Sequence, residues 1–246
     1  MNQVTQKLLL LLISGLILLL SIKYTFYFIL ALLIIIIIAS IVFYKFWINP
    51  GSHVKPIFTK WGENLDKDNI LQEYPRPQFQ RESYLNLNGY WDYAIIKDGE
   101  KLDKYQGKIL VPFALETPIN NINKTLKEDM TLIYNKKIDL SNFKNNGRFI
   151  LHFGAVDQEA KVYINKNYIG CHKGGYTSFE FDITESIKED LTNTDITVYV
   201  KDKWRNGKFS WGKQNNPRGN IWYTPTSGIW QTVWIESVPI NYLKDV

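Results

Sequence analysis

The chain has 246 residues and a formal net charge of +5, but its first fifty residues hold Lys7, Lys23 and Lys45 with no acid. The remainder balances 26 basic against 24 acidic side chains, and with no basic stripe it excludes nucleic acid as an expected partner. Cys171 is the single cysteine, which excludes an internal disulfide and a cysteine zinc site; His53, His152 and His172 stand far apart, so neither a metal nor a cofactor is expected.

Two apolar stretches open the chain. Leu8–Ile22 follows Lys7, and Thr25–Tyr44 carries no charge over twenty residues. At ~1.5 Å per residue the second reaches about 30 Å, enough to cross a hydrocarbon core, whereas the first reaches only ~22 Å. Aromatic residues flank the second stretch (Tyr24, Phe26 and Tyr27, then Phe43, Tyr44, Phe46 and Trp47), as at a membrane interface. The segment 1–50 is expected to be an integral membrane anchor, as one transmembrane helix or as a helical hairpin turning at Lys23 with spans 8–22 and 25–44. A lipid membrane is thus an expected partner through residues 8–44. Lys45, Lys55 and Lys60 favour a cytoplasmic flank after two spans, and a single span places the rest outside. Residues 51–73 read as a linker, entered by Pro50-Gly51-Ser52, with Phe58 and Trp61 as apolar residues able to pack on the domain beyond it.

From Leu85 onward the chain alternates short extended runs with turns, the pattern of a sandwich. Gly89–Ile96 forms the first of these, with Trp91 and Tyr93 on one face and Tyr90 and Asp92 on the other, so Trp91 is expected in the core. Lys108–Pro112, Thr131–Asp139, Arg148–Phe153, Ala160–Asn165, Tyr168–Cys171, Ser178–Ile183 and Asp195–Lys201 are the later strands. Helical pattern is confined to one turn near Thr184, which is placed to cap Glu185–Ile187. Asp157 and Glu159 sit close together, but they belong to a strand and its bend rather than to a catalytic pair. Gly174-Gly175 makes a tight bend that turns Tyr176 and Phe179 into the sandwich.

The closing stretch, Asn220 to Ser237, is the most informative. Trp230, Thr232, Trp234 and Glu236 alternate with Gln231, Val233 and Ile235, so apolar groups point to both faces, as in a strand inside a sandwich. Pro225 and Gly228 bracket the entry turn, where Thr226 and Ser227 are expected to bond locally. Just upstream, Trp222 and Tyr223 are the candidate substrate-binding residues, because flat rings stack on pyranose faces.

SGIWQTVWIE, preceded by IWYTP and by GKQ at Gly212–Gln214, resembles the end of the N-terminal sugar-binding domain of glycoside hydrolase family 2, the β-galactosidases, β-glucuronidases and β-mannosidases. YPRPQFQRESYLNLNGYWDY (74–93), ILVPFALETPI (109–119), RFILHFGAVDQEAKVYIN (148–165) and GCHKGGYTSFEFDIT (170–184) agree in the same order. The resemblance implies an all-β jelly-roll sandwich, galactose-binding-like, over 74–239, with 240–246 opening a further domain. It implies carbohydrate as ligand and a (β/α)8 barrel as partner, the barrel carrying both catalytic glutamates. No catalytic residue is expected within this chain. In some relatives an acid five positions before the Ser-Gly-Ile turn reaches substrate, but this chain has Trp222 there, and Ile133 stands near the place of a second, asparagine contact. The implied function is the sugar-binding part of a membrane-anchored glycosidase, a hydrolase of carbohydrate metabolism; the alternative is a stand-alone membrane-anchored module binding a carbohydrate or a partner without catalysis.

Overall fold

The computed structural model describes residues 3–48, 57–203, 208–216, 218–219 and 221–245. Pro50, Gly51, Ser52, His53 and Lys55 at the linker entry, and Asn220 at the head of the closing stretch, lie outside the described residues. The chain divides into two units, Met1–Val54 and Lys55–Val246.

The first unit is helix α1, Gln3–Phe43, followed by one wider turn, Tyr44–Ile48. The break considered at Lys23 does not occur: α1 runs straight through it. No Gly or Pro interrupts Ile22–Thr25, and the Thr25 hydroxyl donates to Ser21 O at 2.8 Å inside the helix rather than to a turn. Leu10–Phe43 is long and apolar enough to cross a membrane.

The second unit opens with a single turn, α2 (Lys60–Glu63), capped by Thr59, whose hydroxyl accepts from Gly62 N. Phe58 and Trp61 are exposed and do not pack on the sandwich, whereas Ile70 is buried. Two antiparallel sheets come next, their strands numbered in chain order. One sheet holds β1 (Tyr84–Asn86), β5 (Arg148–Phe153), β9 (Phe179–Asp182) and β12 (Val233–Val238), in the order β1-β12-β5-β9. The other holds β2 (Gly89–Lys97), β3 (Gly107–Val111), β4 (Met130–Ile138), β7 (Glu159–Ile164), β8 (Asn167–Lys173) and β10 (Thr194–Lys201), in the order β3-β2-β4-β10-β7-β8. A two-stranded ribbon joins β6 (Val156–Asp157) to β11 (Gly228–Ile229). The eight strands expected between Gly89 and Lys201 occur to within two residues; β1 and β11 are additions to them, and Trp230–Thr232 leaves the ladder between β11 and β12.

The alternation of each strand explains the core. Trp91, Leu132, Tyr134, Val162 and Val198 from one sheet meet Phe149, Leu151, Phe153, Val233 and Ile235 from the other, all buried. Trp91 donates from Nε1 to Leu87 O at 2.8 Å and meets Tyr134 edge-on, so its polar atom is satisfied within the apolar layer. Gly228, at φ +92°, lies where any Cβ would collide with the Tyr134 hydroxyl and Leu132, so the Ser-Gly-Ile turn requires glycine.

Two local expectations change. Thr184 lies inside the short helix α3 (Thr184–Ile187) instead of capping it. Its hydroxyl accepts from Phe149 N at 2.9 Å and donates to Asp182 Oδ1, so it stitches β5 to the end of β9. Thr184→Val removes that acceptor and is expected to cost ~1 kcal/mol of stability in urea unfolding, with no change in m-value. Tyr176 does not enter the sandwich. It stays half-exposed, edge-on to Trp230 at 5.9 Å, while Phe179 alone turns inward to stack on Phe153.

Candidate functional site

The segment after β10 reverses on itself to present its aromatic rings. Gly219 and Trp222 exchange backbone hydrogen bonds across a tight hairpin (2.9 and 3.2 Å). Tyr223 N donates to Lys213 O at 2.9 Å and Asn215 N donates to Tyr223 O at 3.1 Å. The buried Gln214 side chain locks this to the turn before β11: its Oε1 accepts from Thr226 N at 2.8 Å and its Nε2 donates to Trp211 O. Arg218 Nη1 donates to Thr224 Oγ1 at 2.9 Å. Trp211 and Trp222 stack with centroids 6.2 Å apart and planes 12° apart. Trp222 keeps 38% of its surface and Tyr223 71%, so the two candidate residues are adjacent and exposed, with their backbone held by hydrogen bonds and the Trp222 ring by Trp211.

Beneath this loop lies a cluster of carboxyl groups. Ser227 Oγ is 2.9 Å from both Glu116 Oε1 and Asp202 Oδ2, and Ser227 N donates to Glu116 Oε2 at 2.9 Å. The local bonds expected of Ser227 are thus replaced by long-range ones. One hydroxyl proton serves only one of two carboxyl oxygens, so the second contact needs a carboxyl proton. Burial pushes the Glu116 pKa up to about 7 against the hydrogen bonds from Leu126 and Ser227. Asp157, in the β6 bend, is pushed up to about 8 by burial and then by the charges of Asp202 and Glu116. Gly175 lies against it: a Cβ there would stand 2.5 Å from Asp157 Oδ1. Gly175 O accepts from Trp230 Nε1 at 2.8 Å, which ties Trp230, and through it the Tyr176 ring, to the same cluster. Raised carboxyl pKa values resemble those of general acids; Asp157 and Asp202 are buried and Glu116 is partly buried. Among the described residues no group of three or more His, Cys, Asp or Glu is arranged to hold a metal ion. His172 contacts Thr177 Oγ1 at 3.0 Å and stacks on Phe179.

A cleft of about 1200 Å³ crosses the outer face of the four-stranded sheet, lined among others by Arg76, His152, Glu180, Trp230 and Trp234. Its floor is held by Glu236, which accepts from Tyr74 Oη (2.6 Å), Arg81 Nε (2.7 Å) and Trp234 Nε1 (2.9 Å). The His152 ring stacks on Trp234 at 4.7 Å and reaches Glu180 at 3.2 Å.

Sequence reasoning brought Trp222 and Tyr223 forward but missed Glu116 and Asp202, and assigned Asp157 only to a bend. Glu116 comes after the VPF block within the ALE tripeptide, in the loop beyond β3, and Asp202 directly follows β10, a strand of regular alternation. An acid in each of those two segments was the available signal.

The family model described as "Glycosyl hydrolases family 2, sugar binding domain" matches residues 97–239. A β-galactosidase of Thermoanaerobacter pseudethanolicus is 32% identical over 170 residues, covering 66% of this chain and 22% of that protein. A putative β-glucuronidase of Formosa agariphila is 32% identical over 113 residues, covering 46% and 13% respectively. The solved β-glucuronidase of Faecalibacterium prausnitzii shares the fold, with a TM-score of 0.50 at 23% identity, over 70% of this chain and 34% of that one. The chain therefore spans about a fifth or less of the length of these two curated relatives. With more than half of its residues matched by that domain, the chain belongs to glycosyl hydrolase family 2 and carries the family's sugar binding domain.

Proposed function

We propose that the sandwich, a jelly roll of the galactose-binding type, is the sugar-binding module of a membrane-anchored family 2 β-glycosidase. Trp222 and Tyr223 are its substrate platform. The single observation that carries this reading is the exposed aromatic pair, of which Trp222 stacks on Trp211, on a hairpin tied through Gln214 to the turn at Thr226. Rings whose position is set before ligand arrives stack on a pyranose face with little ordering cost. Hydrolysis, by a retaining two-carboxylate mechanism, belongs to the (β/α)8 barrel of such an enzyme, whose mouth this module shapes. Trp222→Ala is expected to weaken saccharide binding about tenfold, the loss of ~1.4 kcal/mol of stacking, while leaving the melting temperature within a few degrees. Calorimetry with galacto- and glucurono-oligosaccharides checks this, and unchanged affinity in both Trp222→Ala and Tyr223→Ala removes the platform.

The anchor is α1. At ~1.5 Å per residue about twenty of its residues reach the ~30 Å of a hydrocarbon core, and its apolar stretch Leu10–Phe43 is longer than that. After carbonate washing of membranes, the chain is expected in the pellet with an intact N-terminus. A soluble product cleaved after the first apolar stretch identifies α1 as a signal sequence instead.

A further inference from the structure

The turn α2 is ordered without serving any core. Gly62 N donates to Thr59 Oγ1 and Glu63 N to Thr59 O, both at 3.0 Å. Asn64 closes the turn, its N donating to Trp61 O at 3.2 Å and its Nδ2 to Lys60 O at 3.0 Å. None of the residues Lys60–Glu63 is buried. What the turn and its approach hold outward is apolar: Ile57 keeps 82% of its surface, Phe58 44% and Trp61 81%, which makes Trp61 the most exposed tryptophan among the described residues. An apolar side chain left open by itself is ordinary, but three within five positions, on and just before a hydrogen-bonded turn, mark an interaction surface.

Continuity with the anchor identifies what covers it. The wide turn that follows α1 closes at Ile48, and Ile57 comes nine residues later, a tether of at most about 32 Å. Phe43 and Trp47 stack on each other where the apolar stretch ends, the place at which aromatic rings occupy the headgroup layer. We propose that Ile57, Phe58 and Trp61 make a second, shallower contact with the same lipid surface, on the side of the membrane at which α1 ends. The proposal rests on the anchor reading above and adds a lipid-facing element outside the spanning helix. Trp61 suits that layer because its ring is apolar while its indole N–H finds a partner among headgroups and water. The capped turn lowers the cost of insertion, since its backbone groups enter the layer already hydrogen-bonded.

The test is tryptophan quenching in the full chain, reconstituted in phosphatidylcholine vesicles whose acyl chains carry bromine close to the headgroups. The chain has eight tryptophans, and Trp47→Phe removes the one next to the span, leaving seven. In Trp47→Phe the bromolipid is expected to quench one tryptophan's share of the emission, and Trp47→Phe/Trp61→Phe should lose that quenching entirely. A chain that floats with the vesicles but shows no quenching in Trp47→Phe overturns the contact and leaves the anchor standing. A chain that does not float overturns the anchor reading and this contact with it. Quenching that persists in the double variant assigns the contact to another tryptophan and overturns the role of Trp61. A Trp61 shielded from bromolipid and from aqueous acrylamide alike assigns the turn to a second copy of the chain, which also overturns the proposal.

Discussion

Glu236→Ala is expected to destabilise the sandwich by about 3 kcal/mol, because it strands two partly buried cations, Arg76 and Arg81, whose ion pairs among the described residues are both with Glu236. Glu236 is 1% exposed on a strand in the middle of the four-stranded sheet, and Arg76 and Arg81 reach it at 3.3 and 2.7 Å from an arm more than 150 residues away in sequence. Tyr74 and Trp234 add neutral donors to the same carboxylate. Removing the acceptor releases the arm from the sheet and uncovers Trp234, so the expected loss exceeds that of any exposed pair, such as Arg148 with Asp182, whose removal changes stability little. Urea unfolding of Glu236→Ala and Glu236→Gln checks it. The glutamine retains a carbonyl acceptor and is expected to fall between wild type and alanine. The acid limb carries the same signature. Burial raises the Glu236 pKa, but hydrogen bonds from His152, Tyr74 and Trp234 outweigh it and hold the group at about 2. For Glu180 the His152 hydrogen bond leads, and that group too is held at about 2. A carboxyl with a depressed folded pKa stabilises above its unfolded value and loses that contribution as pH falls towards the folded one. Wild-type stability should therefore fall between about pH 4.5 and 2, and Glu236→Gln should flatten that limb.

Why the arm escaped sequence reading is physical. The alternation from Trp230 to Glu236 shows a strand with large groups on both faces, and that is what β12 is. Nothing local says that the face bearing Trp234 and Glu236 is roofed by Tyr74, Arg76 and Arg81, since that contact closes a loop of some 155–162 residues. The same limit hid the Glu116–Ser227–Asp202 cluster, whose members come from three segments far apart in sequence: the loop after β3, the turn before β11 and the exit of β10. Strand positions were legible because the period of two is written within each segment, as in Gly89–Lys97, where Trp91 and Tyr93 turn inward and Tyr90 stays out. Trp222 and Tyr223 were legible as a pair because aromatic side chains in a Gly- and Pro-containing loop stand out from any alternation. Their orientation was not, because it depends on Gln214 and Lys213 folding back beside them. The ring of Tyr176 suggests an inward position by its chemistry alone; its place over Trp230 comes from the Gly175 contact with Asp157, a packing constraint between separate segments.

Raising the pH should loosen the same loop from below. Glu116 and Asp157 have folded pKa values of about 7 and about 8, above their ordinary values of 4.5 and 3.8, so the folded state holds protons that the unfolded state has released. The sign is opposite to that of Glu236: the stabilisation is complete below about pH 4 and declines as pH rises through the folded values. For a buried group such as Asp157 the decline approaches ~1.4 kcal/mol per pH unit between the two pKa values. Ionised Glu116 repels Asp202 across Ser227, and ionised Asp157 faces both, so the strain falls on the turn that carries Thr226 and, through Gln214, the Trp222–Tyr223 hairpin. Melting temperature is therefore expected to fall from about pH 4 to pH 8, and saccharide affinity to fall as the folded groups ionise around pH 7 to 8. Asp157→Asn keeps the shape but cannot ionise. It should reduce the alkaline slope of both measurements while leaving the acid limb set by Glu236 unchanged. An identical alkaline slope in Asp157→Asn and wild type would show that the buried cluster stays protonated and that the loop is indifferent to its charge.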